Sequence, residues 1–337
     1  MISDLGLNRR AARLADALAA DAALLGVAVT EVGGARVLDC GVLAAGGLEA
    51  GRRLAEICLA GLATVSLTSV DLGGLWLPAV AVTTDHPVTA CLASQYAGWA
   101  IDPPEYFAMG SGPARSVARV ERELYERIGY AEATDTAVLV LEGRTLPDER
   151  VVRFIADKCR VQPEGLWLLI APTASIAGCV QVAARSVETG LHKMLELGFD
   201  VRSVRSGAGV CPLAPVAKND LRAIGWTNDC ILYGTRAYFA VHADDALVAA
   251  MVERLPASTS SDYGTSFYEI FKRAGNQFYK IDRMLFSPAE VVVNNLVSGR
   301  VFRAGRLDPD VLMRSLGVGG VGGAGGAGDP GGVGGAT

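Results

Sequence analysis

Apolar and polar positions change their spacing several times along the chain. Over the first 26 residues, MISDLGLNRRAARLADALAADAALLG, apolar residues recur three and four apart with Arg and Asp between them, which predicts an amphipathic helix. VAVTEVGGARVLDCG then carries two β-rich runs around Gly33 and Gly34, a hairpin pattern. A helix is predicted over about 49–59, two or three strands within TVSLTSVDLGGLWLPAVAVTTD, and a helix from Pro113 to about Arg127. From Thr136 the order is the strand TAVLVLEG, a helix over about 148–159, the apolar strand LWLLIAP and a long helix through Leu197, which suggests a β–α–β unit. Further on, DCILYGTRAYFAVH reads as a hairpin, DDALVAAMVERL as a helix, and VVVNNLVSGRVF as a hairpin turning at Ser298 and Gly299.

These elements predict a mixed α and β protein of two domains. An N-terminal α+β domain over 1–115, with an approximate and permissibly discontinuous boundary, is followed by a second α/β domain over 116–310. Residues 317–337 are almost pure Gly, with too little side chain to offset the entropy of ordering, so a flexible tail is expected there.

Composition narrows the function classes. At 337 residues, 50% hydrophobic and 20% charged, the chain can bury a large core. A mean hydropathy of +0.30 raises the question of a membrane protein. However, Gly, Pro, Asp, Arg or Glu interrupts each apolar stretch before about 18 residues, so no span is predicted. The amino terminus lacks a basic start followed by an unbroken apolar run, and a cytoplasmic location is expected. Seven cysteines without a C-x-x-C pair, most among aliphatic neighbours as at Cys58, Cys91 and Cys179, predict reduced core thiols. His86, His192 and His242 lie far apart, so no metal site is predicted. A net charge of -5 with no basic stripe argues against nucleic acid as a partner.

Two constellations carry candidate chemistry. In YFAMGSGPARS, Gly110 and Gly112 can take positive φ and Pro113 suits a first helical position. Such a turn, with Ser111, Arg115 and Ser116, either simply enters a helix or holds a phosphate or carboxylate at the helix's positive end. Downstream, Gln181, Arg185, Glu188 and His192 are spaced i, i+4, i+7, i+11, one stripe of a helix. That stripe is either a solvated face with an Arg–Glu pair or a polar site. Asp85 and His86 in DHP, Ser94 and Gln95 in ASQYAGW, and Thr173 and Ser175 in APTASIAG are further candidates. Each has a structural alternative in a turn or a helix cap.

Several long motifs stand in order from about Ala22 to about Gly305. They are DCGVLAAGGLEAGRRLAEICLAGLA, LGGLWLPAVAVTTDHPVTACLASQYAGW, APTASIAGCVQVAARSVETGLHKMLE, VCPLAPVAKNDLRAIGWTNDCILYGTRAYF, SDYGTSFYEIFK and FYKIDRMLFSPAEVVVNNLVSG. Together they resemble the methenyltetrahydromethanopterin cyclohydrolase family. The resemblance implies that Arg185 and Glu188 of AARSVETGLHKM are the catalytic pair, adding water to the methenyl carbon of a cationic amidine to give the N5-formyl product. It also implies a pterin-carrying substrate in a cleft between two domains, no cofactor, no metal, and a homo-oligomer, with trimers known in the family. Gly110, Ser111, Gly112, Arg115, Asp85, His86, Ser94, Gln95, Thr173, Ser175 and Gln181 become candidate substrate contacts. A folate-type carrier, and a pterin-binding protein without turnover, are the alternatives. The glycine-rich tail and the first helix lie outside the matching stretch.

Overall fold

A computed structural model describes residues 5–318; the first four residues and 319–337, nearly all of the expected tail, lie outside the described residues. The strands are β1 (Ala28–Val32), β2 (Ala35–Asp39), β3 (Thr64–Asp71), β4 (Trp76–Thr84), β5 (Trp99–Ile101), β6 (Ala108–Ser111), β7 (Ala137–Glu142), β8 (Leu166–Ala171), β9 (Val204–Pro212), β10 (Arg236–Val241), β11 (Glu290–Asn295) and β12 (Val301–Gly305). They form two mixed sheets of six, ordered β1-β2-β8-β7-β6-β5 and β12-β11-β10-β9-β4-β3.

The central strands of the first sheet, β7 and β8, are buried on both faces. Val138 and Val140 of β7, with Trp167 and Leu169 of β8, pack against helices Leu7–Ala20 and Leu48–Cys58. Leu139 and Leu141, with Leu168 and Ile170, pack against helix Glu149–Cys159 on the other side. Burial of both faces is why TAVLVLEG and LWLLIAP read as unbroken apolar runs. The parallel pairing of β7 with β8 around that helix is the predicted β–α–β unit. The second sheet alternates instead: Gly207, Gly209 and Cys211 of β9 face the core, while Ser206, Ala208 and Val210 are half-buried on the outer face.

The sheets interleave along the chain, because β3 and β4 join the second sheet and β5 to β8 return to the first. The chain therefore crosses between them three times before β9. The first crossing is helix Leu48–Cys58, the second a π-helix at Val88–Gln95, and the third a pair of helices, Ile176–Ala183 and Glu188–Glu196.

Three expected elements differ. The helix predicted from Pro113 to Arg127 is two short helices, Ala114–Ala118 and Arg122–Ile128, parted where Arg119 turns left-handed at φ 50°. The long helix through Leu197 is broken at 184–187. DCILYG is not a strand but the end of helix Asp220–Gly234; its four residues Cys230 to Tyr233 are all buried, and such an apolar run fits either element until packing decides. The hairpins at Gly33–Gly34 and Ser298–Gly299 form as expected. Among the described residues no helix is long and apolar enough to cross a membrane.

Candidate active site

The break at 184–187 builds the site. Arg185 N–H donates to the Val182 carbonyl at 3.0 Å, while the Arg185 carbonyl accepts from Thr189 N–H at 3.0 Å and from its hydroxyl at 3.1 Å. This joint lies directly on β9. A Cβ on Gly209 would stand 2.5 Å from Ser186 Oγ, and one on Gly207 2.7 Å from Val187 Cγ1, so only glycine permits the approach.

The expected stripe is not solvated: Gln181, Arg185, Glu188 and His192 are all buried. Arg185 Nη1 lies 3.6 Å from Glu188 Oε2, an ion pair longer than a hydrogen bond, and donates at 2.9 Å to the Gln95 carbonyl. Burial pushes the Glu188 carboxyl above its ordinary value, and the charges of Arg185 and then Arg115 oppose that rise.

The second crossing supplies the other wall. Its π-helical turn, Val88–Gln95, was not legible in the sequence, and such turns are frequent at functional sites. Gln95 Nε2 donates to the Ala184 carbonyl at 3.0 Å, which ties the two crossings together. Ser94 Oγ donates to the Cys58 carbonyl at 2.7 Å on the first crossing. Ser111 Oγ lies 3.3 Å from Cys58 Sγ and accepts from Gln181 Nε2 at 3.3 Å. Cys58, Ser94, Gln95, Gln181, Arg185 and Glu188 of the three crossings, with Ser111 of β6, thus form one buried cluster.

The GSGPARS turn joins that cluster from inside. It does not aim free N–H groups outward: Gly112 N–H donates to the Ser94 carbonyl at 2.8 Å, and Gly110, Ser111, Gly112 and Arg115 are buried. Gly112 takes φ 96°, as expected, whereas Gly110 continues β6 and is not left-handed. Arg115 is fully buried, donating from Nε to Glu121 at 2.8 Å and from Nη1 to the Ser94 carbonyl at 2.9 Å. Its guanidinium lies 5.1 Å from the centre of the Tyr96 ring, which stacks on His192 at 4.9 Å. Tyr96 was missed at the sequence level, although it directly follows the ASQ motif.

Other predicted residues stand elsewhere. Asp85 accepts from Ser206 Oγ at 2.6 Å and, with His86, lines an open cleft of about 460 Å³ bounded also by Arg10, Thr64 and Tyr238; neither Arg185 nor Glu188 lines it. Ser175 caps helix Ile176–Ala183, accepting from Gly178 N–H at 3.0 Å, and Thr173 Oγ1 donates to Glu142. The eight residues of helix Ile176–Ala183, about 12 Å along the axis, separate Ser175 from the break that carries Arg185. The seven cysteines are buried free thiols. Among the described residues no group of three or more His, Cys, Asp and Glu is arranged to hold a metal ion.

The cluster therefore presents one buried carboxylate of raised proton affinity opposed by two buried guanidinium groups. Such a carboxylate can take and return a proton nearer neutral pH than an exposed one.

Comparison with known proteins bears on what that proton serves. The family model described as Cyclohydrolase (MCH) matches residues 6–316. A Methanosarcina barkeri protein named methenyltetrahydromethanopterin cyclohydrolase is 49% identical over 265 residues, 78% of this chain and 83% of that protein. Proteins of the same name from Methanococcoides burtonii and Methanocaldococcus jannaschii are 47% and 43% identical, over 78% and 93% of this chain and 82% and 98% of theirs.

Proposed function

The chain belongs to the MCH cyclohydrolase family, and on that premise we propose that it interconverts 5,10-methenyltetrahydromethanopterin plus water and the N5-formyl carrier, with Glu188 as general base and acid and Arg185 orienting it. The observation that carries this reading is the Arg185–Glu188 pair itself, buried at the break between two helices with guanidinium and carboxylate 3.6 Å apart.

The methenyl bridge is a delocalised amidinium whose carbon is electrophilic. Glu188 accepts a proton from water as the water oxygen bonds to that carbon, a contribution of about 10²–10⁴-fold for a positioned base. The product of this step is a neutral tetrahedral carbinol. Glu188 then returns the proton to N10 as the C–N10 bond breaks, and the carbinol hydroxyl loses its own proton to leave the formyl C=O. One proton is released overall, which balances the loss of the substrate's positive charge. Arg185 stays charged throughout, since its pKa lies far above neutrality. Its bond to the Gln95 carbonyl fixes where it stands beside Glu188.

The position of the cluster on the three crossings supports a site where two sheet-based units meet, and the pterin is read as substrate with no further cofactor. A homotrimer in the cytoplasm is part of the same proposal; light scattering on the purified protein tests the trimer. The functional test is loss of the methenyl chromophore when chelator-treated protein meets methenyltetrahydromethanopterin, with methenyltetrahydrofolate in parallel. Rapid loss with the first alone is expected. Equal loss with both would favour a folate-type carrier, and binding without loss a non-catalytic pterin protein.

A further inference from the structure

We propose that Arg115, expected from the sequence to touch substrate, is a positioning residue for the Arg185–Glu188 pair. It holds the end of the π-helix against Arg185 and sets a second buried positive charge beside Glu188. The inference rests on the reading of that pair as catalytic.

The positioning argument follows the hydrogen bonds. Arg115 Nη1 reaches two carbonyls of the π-helix, Ser94 at 2.9 Å and Leu92 at 3.4 Å, and Gly112 N–H also binds the Ser94 carbonyl. The next carbonyl, that of Gln95, accepts from Arg185. One guanidinium therefore fixes the backbone that places the other. A planar fork with several donors suits this task in a way that a lysine ammonium does not.

The charge argument follows the packing. Arg115 is fully buried between the Tyr96 ring at 5.1 Å and the Tyr125 ring at 5.8 Å, and Tyr96 stacks on His192, one turn from Glu188 on the same helix. Glu121 neutralises Arg115 through Nε, but its Nη2 has no hydrogen-bond partner among the described residues. Glu188 feels Arg185 and Arg115, while Cys91 and Tyr96 of the π-helical wall feel its negative charge. The remaining neighbours packed on its helix carry Arg283 and Asp282, the latter bonded to Ser260, and an exposed Arg202 paired with Asp200.

The two effects separate experimentally. Arg115→Gln removes charge and fork, and should lower kcat about tenfold or more and shift the acidic limb of the kcat–pH profile upward by about half a unit or more. Arg115→Lys keeps the charge, so the limb should stay near its wild-type position while kcat still falls. Glu121→Gln leaves Arg115 less neutralised and should shift the same limb downward. KM should change less than kcat in all three, since none of these side chains contacts substrate on this account. Wild-type kcat and pH profile in both Arg115 variants would overturn the inference. Should those variants fail to fold, an unmoved acidic limb in Glu121→Gln overturns it instead. Wild-type protein that turns over nothing, or Glu188→Gln that retains full turnover, would overturn the underlying reading of the pair rather than the role of Arg115.

Discussion

Glu188 and Asp229 are both buried carboxylates whose burial pushes their pKa upward, yet their surroundings differ in kind. Asp229 sits on helix Asp220–Gly234 with both oxygens occupied: Phe267 N–H donates to one at 2.8 Å, and Ser315 Oγ donates to the other. It fastens the start of helix Phe267–Arg273 and the end of helix Pro309–Leu316 to the core, and among the described residues no guanidinium pairs with it. Glu188 makes no comparably short bond among the described residues and lies 3.6 Å from Arg185, with Arg115 beyond. A shifted carboxyl is thus not by itself a mark of chemistry. Buried cations in place of short hydrogen bonds are what distinguish Glu188 from the strut.

The largest effect that tests this contrast is Glu188→Gln, expected to lower kcat by about 10² or more while substrate binding persists. The same substitution should leave the melting temperature unchanged or raised, because the fold disfavours the charge that is removed. A lowered melting temperature with near-normal turnover would make Glu188 a second strut. Next in size, Arg185→Lys should reduce kcat about tenfold or more, since an ammonium cannot keep both the Gln95 carbonyl and the carboxylate in the same plane. Steady-state kinetics at fixed pH decide this.

A third expectation concerns pH. Glu188 must be deprotonated to act as base, and its pKa is raised, so kcat should fall as pH drops through a value above the ordinary carboxylate range. An acidic limb near pH 4 would contradict the buried base. The smallest effect on activity is expected at Asp229→Asn, within about twofold of wild type. Its signature is in stability. Asp229 is pushed up to about 7, so its protonated form favours the fold; that contribution is complete below its ordinary value of 3.8 and is lost as pH rises through about 7. Melting curves between pH 5 and 8 should therefore slope less steeply with pH in Asp229→Asn than in wild type. Equal slopes would remove Asp229 as the titrating group.

Much of the scaffold was legible because it is coded locally. Gly33–Gly34 and Ser298–Gly299 mark hairpins, and the runs around Val138–Leu141 and Leu166–Ile170 announce strands buried on both faces. The resemblance of AARSVETGLHKM to a known family supplied Arg185 and Glu188 as candidates before any fold was drawn. Spacing alone did not, since a solvated stripe with an Arg–Glu pair has the same pattern.

What the sequence determined by itself is therefore which residue types could do the chemistry, and which short segments turn or pair, since both depend on side chains and dihedrals within a few positions. Only the tertiary structure decided that the stripe is buried, that the long helix breaks at 184–187 over Gly207 and Gly209, and that Arg115 faces inward. It also decided that Cys58, Gln95, Ser111 and Gln181 meet, through contacts spanning 37 to 123 positions. Such contacts form because two sheets share three crossings, and the desolvation that raises the Glu188 carboxyl is a property of that packing, not of any local run of residues.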